Sequence, residues 1–450
     1  VGPNPEGTFT FSLTDQPESS TGDTIYSLIE PMDFVEIRGS AKAYLYSGQG
    51  QKLPLIMRGF ISDVRRPEAM DTDGPARQII VQGQDMGMLW NIHGVWTETA
   101  LQMNVDLLQQ FQLQAFLGII PNQMGVSDFI TAVMTKGINA RIADMSAFES
   151  HQFPQFSADT SVTQGQVLPQ VMGSIQGGSF WSILERFADR PWNELWTDDS
   201  DTDGPTVVFR PTPYKDISGN WIGGAISPGL IDISDTDIIS VSPGRSHKSV
   251  ANFFWVPPDA GMVWTGNLTT AASLGAALQL ELTGQNNNAS LYGFRKMEVR
   301  SALAPNTLTT YPPDLPPDQQ QGASINLNDW YQARAALLQA MNKDNVLFEN
   351  GTIEMRGDET IRCGRYVRVQ RNQFFWKAYA TEVSHDISPF GSWTTSIAFE
   401  RGDGFIQRNK QTTPPMWLEG RRGPYDQAPP PPAKGTPTVT VTESSQGPAS

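Results

Sequence analysis

IRCGRYVRVQRNQFFWKAYATEVSHDISPFGSWTTSIAFE, residues 361–400, decides how the chain is read. Apolar and β-branched residues alternate with polar ones: Ile361 and Cys363, Val367 and Val369, then Tyr379, Thr381 and Val383, then Trp393, Ile397 and Phe399. Period-two alternation, interrupted at Gly364, at Arg371-Asn372 and at Ser388-Pro389-Phe390-Gly391, predicts antiparallel strands joined by short turns. Residues 54–85 have the same character, with strands over about 55–65 and 77–85 around a turn that ends in Asp73-Gly74-Pro75. Two β-rich units of similar grammar therefore stand near the two ends of the chain. They share a pattern and no literal repeat.

The flanking sequence extends both units. Strands are predicted at 8–15, 33–39 and 42–46, and Asp85 is placed to cap a short helix beginning in DMGMLW. Between about 96 and 200 the period changes. Leu107, Leu108, Phe111 and Ala115 share one helical face, and Phe129, Ile130, Val133 and Met134 another. Ser179 can begin a helix whose apolar side is Phe180, Ile183, Leu184 and Phe187. Strands return at 231–243 and 250–258. Residues 259–325 read as loop, because the Pro-Pro pairs within 311–322 interrupt both helix and sheet. Asp329 can cap a helix carrying Trp330, Ala333, Leu337, Leu338 and Met341. The expected class is α+β, mainly β: two tube-like antiparallel β-barrel domains, an α/β middle domain and an extended tail. The boundaries are 1–95 for the first barrel, 96–225 for the middle, 226–403 for the second barrel with a Pro-rich insertion near 259–325, and 404–450 for a Pro/Ser/Thr-rich tail.

Composition narrows the function classes. The 450 residues exceed one core, and 40 Gly with 33 Pro at 18% charge suit a turn-rich β protein. A net charge of −15 argues against a phosphate-binding surface, which needs clustered Lys and Arg. There is no run of about eighteen apolar residues, so no membrane-inserted helix is expected. The N-terminal VGPNPEGTFTF lacks the basic and apolar regions of a signal peptide. The single cysteine, Cys363, falls in the alternating pattern and reads as a small core residue.

Residues capable of chemistry do not assemble into a motif. Asp199, Asp201, Asp203 and Gly204 match the first half of an EF-hand loop, but the twelfth position is Arg210, so an acidic turn is the better reading. Arg401-Gly402-Asp403 spells an adhesion tripeptide directly after the last strand and reads as loop. His93, His151, His247 and His385 lack ligand spacing. Glu185, Glu194 and Glu382 could enter a glycosidase pair, which needs only two carboxylates at the right separation. Twelve tryptophans could stack on sugars, although Trp330 and Trp393 lie in the apolar phase of their elements. No catalytic, cofactor-binding or metal-binding residue is assigned, and no cofactor is expected.

DFVEIRGS, LIMRGFISDVRR and QIIVQGQDM near the start carry a resemblance, as do DWYQARAALLQAM, ENGTIEMRGDETIRCGRYVRV and FWKAYATEVSHDISPFGSWTTSIAFERGDGF later. Over about 1–95 and 327–405 the chain resembles the baseplate hub proteins of contractile phage tails, including the late-control family and the hub portion of type VI secretion spikes. The resemblance implies a homotrimeric ring in which two barrels per chain form a pseudo-sixfold torus. Such a ring joins a sixfold tail tube protein to a threefold central spike protein, touches other baseplate proteins and the tape measure protein, and lets genome DNA pass without specific binding. The implied location is the virion tail baseplate, assembled in the host cytoplasm. A tail-associated cell-wall hydrolase or carbohydrate-binding protein is the alternative.

Overall fold

The computed structural model describes residues 7–15, 24–46, 52–71, 74–95, 125–160, 165, 178–199, 203–257, 286–305, 317–371, 374–389 and 391–403. All of them lie in one compact unit, Val1–Phe405. The expected helix at 107–115 and the tail at 404–450 fall outside the described residues.

The first sheet is built from β1 (Thr8–Thr14), β2 (Phe34–Arg38), β3 (Leu55–Arg65), β4 (Glu68–Asp71) and β5 (Gly74–Asp85). Its order is β1-β5-β3-β2, with β4 paired to β5, and every pairing is antiparallel. The segment expected as a strand at 42–46 is instead a 3-10 turn, Ala43–Tyr46. Asp85 ends β5 and accepts from the Gly87 N–H at 2.8 Å, just ahead of α1 (Met88–Ile92).

The middle layer opens with β6 (Gly94–Val95), then α2 (Val126–Val133), a π turn at Met134–Ile138 and α3 (Asn139–Glu149). It continues with β7 (Ser157–Thr160), β8 (Gly178–Ser179), α4 (Phe180–Phe187), β9 (Asn193–Asp198) and β10 (Thr206–Pro211). Ser179 caps α4 as expected, its hydroxyl accepting from the Ser182 N–H at 3.1 Å. The expected apolar sides of α2 and α4 face the largest core, where Phe129 and Phe187 meet edge to face at 5.1 Å between ring centres.

The second sheet takes β11 (Leu230–Ser234) and β12 (Ile238–Gly244) from one stretch of chain. The chain then leaves it through β13 (Phe253–Trp255), α5 (Ala289–Tyr292), β14 (Lys296–Glu298) and α6 (Pro317–Asn342). It returns as β15 (Glu349–Arg356), β16 (Tyr366–Arg371), β17 (Phe374–Ile387) and β18 (Trp393–Asp403). Phe254, Leu303 and the α6 residues Leu327, Tyr331, Ala335, Leu338 and Met341 pack into the middle core. α6 starts twelve residues before the expected cap at Asp329. A proline is tolerated at the first helical position because its missing N–H has no intrahelical partner there. The buried stripe of α6 thus differs from the expected one: Ala333 is exposed, and Trp330 and Leu337 are half-buried.

Strand order forces the second sheet to curl. It runs β11-β16-β17-β18-β15-β12, so β11 and β12 form opposite edges, yet only the turn Asp235–Asp237 joins them. Five interstrand spacings in a flat sheet would hold the edges about 24 Å apart. Four residue steps reach about 14 Å at most. The two edges must therefore approach each other, and the sheet closes most of a barrel. β11 pairs with β16 in parallel; the remaining pairings are antiparallel.

The two sheets share one plan. In each, three strands taken in chain order form a meander and the last pairs with the strand that precedes the meander: β2-β3-β5 with β1, where the short β4 intervenes as a hairpin on β5, and β16-β17-β18 with β15. Registers coincide as well. Phe34 faces Phe60 where Tyr366 faces Tyr379, and Val64 faces Val81 where Val383 faces Ile397. Both central strands bulge at the same step, skipping Ser62 in β3 and Thr381 in β17. Each skipped hydroxyl donates to the neighbouring strand, Ser62 Oγ to the Gln82 carbonyl at 3.1 Å and Thr381 Oγ1 to the Ala398 carbonyl at 3.2 Å. The bulge breaks the alternation, so Thr381 leaves the core phase expected of it, and Tyr379 and Ala380 are both buried. One cross-strand pair is inverted: Phe9 opposes Gly83 in the first sheet, and Gly351 opposes Phe399 in the second. A Phe and a Gly fill that space in either order.

A Cβ on Gly351 would stand 1.9 Å from the Ser242 carbonyl oxygen, whereas one on Gly244 would be 3.7 Å from its nearest neighbour, the Asn350 carbonyl oxygen. Gly351→Ala should destabilise the protein by about 1–3 kcal/mol through overpacking, and Gly244→Ala by under about 0.5 kcal/mol. Urea unfolding of the two variants checks this; equal midpoints would refute the close approach of β12 and β15.

Candidate functional site: the aromatic grips of the middle layer

Because the register is shared, Phe34 and Phe60 occupy in the first sheet the places of Tyr366 and Tyr379 in the second. Each pair is a cross-strand aromatic contact, with ring centres 5.6 Å apart for the phenylalanines and 5.4 Å for the tyrosines. The middle layer holds both pairs, by different chemistry.

On the first sheet the grip is apolar. Phe153 meets Phe34 at 5.5 Å and Phe60 at 5.6 Å, both edge to face, and His151 packs on Phe153 at 5.1 Å. Beside it, Asp199 pairs with Arg58, accepting from its backbone N–H at 2.7 Å and from its guanidinium. Arg58 is only 2% exposed. Burial raises the Asp199 carboxyl to about 6, against the opposing pull of Arg58. The acidic stretch expected as a turn therefore supplies an interior ion pair; Asp201 lies outside the described residues.

On the second sheet the grip is polar. Tyr379 donates to Glu194 Oε2 at 2.5 Å, and Arg210 donates from Nε to Glu194 Oε1 at 2.5 Å. Glu194 and Arg210 face each other across β9 and β10, so the hairpin aims a preformed pair at the sheet. Arg210 also donates from Nη2 to the Gly364 carbonyl at 2.6 Å, and Tyr366 donates to the Pro213 carbonyl at 2.9 Å. Tyr214 hydrogen-bonds Glu400. Burial pushes Glu194 up despite Arg210, and lifts the Tyr379 hydroxyl well above its ordinary range.

Arg401 completes this contact. Its backbone is left-handed, with φ 55°, and its guanidinium lies 4.1 Å from the Tyr214 ring centre and 4.2 Å from that of Phe348. It donates to the Met341 carbonyl at 2.9 Å and the Lys215 carbonyl at 3.2 Å. The tripeptide at 401–403 is therefore the end of β18 rather than a loop, and its arginine is buried, which removes it as an adhesion motif.

The sheets also touch directly. Arg362 donates to the Leu55 carbonyl at 2.6 Å, and Glu359 accepts from Ser40 Oγ at 2.5 Å and the Ala41 N–H at 3.1 Å. Cys363 follows in a turn rather than on a strand; it is half-buried, and burial pushes its thiol up to about 11.

The other residues singled out in the sequence stay apart. Glu185 pairs with Arg190 at 3.7 Å, Glu194 sits in the polar grip, and Glu382 is exposed after the β17 bulge. Trp330 is covered by the Arg334 guanidinium at 4.4 Å. Trp393 lies on Gly357, where a Cβ would come within 2.1 Å of the indole. Both are engaged in packing. His93 and His151 belong to the middle layer, His247 follows β12, and His385 lies in β17. Sequence reading missed the grips themselves. Their signal is the alignment of MRGFISDV (57–64) with WKAYATEV (376–383), in which Arg58, Gly59, Phe60, Ser62 and Asp63 match Lys377, Ala378, Tyr379, Thr381 and Glu382 conservatively and Val64 matches Val383.

No family model matches the chain, and no curated protein matches it. Among solved structures, it is similar to the tail protein from Neisseria meningitidis MC58, with TM-score 0.40 and 10% identity over 88% of this chain and 96% of that one. It is likewise similar to the 43 kDa tail protein of prophage MuSo2 from Shewanella oneidensis, with TM-score 0.40 and 12% identity over 88% and 90%. A chain of the phage P2 baseplate in its activated conformation with calcium aligns with TM-score 0.21 and 9% identity over 82% and 79%.

One measurement tests the polar grip and a second tests the interior contact between β17 and β18. Tyr379→Phe leaves a buried carboxylate oxygen without its donor and should cost about 1–3 kcal/mol in chemical unfolding; no loss would mean that Glu194 is solvated. His385 accepts from Trp393 Nε1 at 3.3 Å and bonds Thr395 Oγ1 at 3.0 Å, and burial lowers it to about 4. The unfolded chain binds this proton near pH 6.5, so between about 6.5 and 4 it holds more protons than the folded one. The contribution is complete above about 6.5 and is lost as pH falls towards 4. His385→Gln should reduce the pH slope of stability in that window by up to about one proton, and an unchanged slope would refute the burial of a neutral imidazole.

Proposed function

We propose that this chain is a structural hub of a contractile phage tail baseplate. Three copies form a ring in which six curled sheets, two per chain, surround a channel. The ring joins a sixfold tail tube to a threefold spike and contacts neighbouring baseplate proteins. One observation carries the reading: two sheets in one chain that share a four-strand core order, the register at their aromatic pairs and one bulge position, gripped at equivalent aromatic pairs by one middle layer. A threefold assembly of a chain with two equivalent units presents six similar units around its axis, which is the geometry a symmetry adaptor needs.

The net charge of −15 supports a conduit role, because a polyanion passing an acidic wall is repelled rather than retained. The role requires no catalysis; it requires stiffness, and the buried ion pairs and aromatic contacts between sheets and middle layer supply it.

Light scattering of the purified chain should give a particle about three times the 49.5 kDa chain mass, with an annular projection in electron micrographs. A monomer at every concentration into the high micromolar range would refute the hub reading.

A further inference from the structure

Among the described residues of the second half of the chain, the most exposed large apolar side chains stand on a knuckle at 289–294. Leu291 and Phe294 are each 74% exposed there, yet the backbone carrying them is tightly held. Asn288 caps α5 by accepting from the Ser290 N–H at 2.8 Å. Asn252 donates to the Gly293 carbonyl at 2.8 Å and accepts from the Arg295 N–H at 2.9 Å. Asn287 is fully buried, donating to the Ala251 and Asn342 carbonyls and accepting from the Val346 N–H. Two large apolar side chains on a backbone held by these hydrogen bonds form a pre-organised contact, in which less entropy is lost on docking.

Charge says what the contact fits. Arg295 donates to the His247 carbonyl at 2.5 Å and so joins the knuckle to the end of β12. Within 245–248 and 291–300 stand Arg245, Lys248, Arg295, Lys296 and Arg300; Arg245 pairs with Glu349 at 2.7 Å and Lys296 with Glu298 at 2.6 Å, so Lys248, Arg295 and Arg300 carry the positive character of the patch. The other end of β12 has the opposite character. Residues 226–239 carry Asp232, Asp235 and Asp237; Asp232 pairs with Arg368 of the adjacent β16, so Asp235 and Asp237 carry the negative character, and Ile226, Leu230 and Ile239 are exposed. The seven residues of β12 separate the two ends by about 20 Å. Pro243, within this edge strand, cannot donate to an added strand, which disfavours edge-to-edge pairing.

Resting on the hub reading, we infer that a second copy of this chain is the occupant: the basic, apolar knuckle of one copy docks on the acidic, apolar 226–239 strip of the next. The contact is heterologous, using the far end of β12 on one copy and β11 with its following turn on the next, and such a contact generates a ring when its rotation closes. Complementary charge sets register and speeds encounter, and Leu291 and Phe294 are the anchors.

Sedimentation equilibrium of the full chain in about 0.1 M salt, with thermal unfolding to confirm the fold, tests this through three sets of substitutions. Leu291→Asp with Phe294→Asp should weaken self-association by about 100-fold or more. Lys248→Glu with Arg300→Glu should weaken it about tenfold, as should Asp235→Lys with Asp237→Lys, and a mixture of these two variants should recover most of the loss at their matched contact. Wild-type assembly unaffected by the knuckle substitutions overturns this inference and leaves the hub reading standing. A monomeric wild type overturns both. Loss of duplex DNA binding in Lys248→Glu with Arg300→Glu, with self-association intact, would assign the patch to nucleic acid and overturn the inference.

Discussion

A pair of aromatic rings, one from each of two neighbouring strands, is the point at which each curled sheet is fixed to the rest of the molecule. In the first sheet the rings are Phe34 and Phe60, and in the second they are Tyr366 and Tyr379. The middle layer meets both places: the Phe153 cluster packs against one, and the Glu194–Arg210 pair against the other. The bulge that follows each pair turns the strand and fixes which side chains face inward. A shift of one residue would reverse the faces of the whole strand, so the bulge and the rings together determine the shape of each sheet.

The two grips differ in energetic character. Phe34, Phe60 and Phe153 gain from burial alone, and their geometry tolerates small adjustments. The second grip buries a carboxylate, a guanidinium and tyrosine hydroxyls, whose desolvation offsets much of their attraction. Its consequence is directional: the hydroxyls of Tyr379 and Tyr366 reach Glu194 and the Pro213 carbonyl only in one orientation of sheet and hairpin. On the first sheet the buried Arg58–Asp199 pair adds a directional contact beside the apolar one.

Much of the fold can be read from the sequence because alternation survives in β16 and along β18, and because Ser179 and the apolar faces of α2 and α4 obey helical spacing. Three features could not be read, each for a physical reason. The start of α6 lies in PDQQQGASIN, which has no apolar period, and a proline at a first helical position resembles a breaker. β11 and β12 occupy opposite sheet edges through non-local pairing that no local pattern reports. The equivalence of MRGFISDV and WKAYATEV is hidden because the bulges at Ser62 and Thr381 interrupt the alternation that would have aligned them. The candidate site was less legible still. Glu194 was visible as a carboxylate and Arg401 as part of a tripeptide, but nothing near either residue in sequence names its partner.

The central claim is that the two sheets are geometrically equivalent parts of one ring. A cryo-electron-microscopy map of the assembled particle, reconstructed with threefold symmetry only, tests it most directly. The account predicts that the two sheets of each chain stand at the same radius, related by about 60° around the axis, with the bulges at Ser62 and Thr381 at the same height. Sheets at different radii, or related by no common rotation, would contradict it.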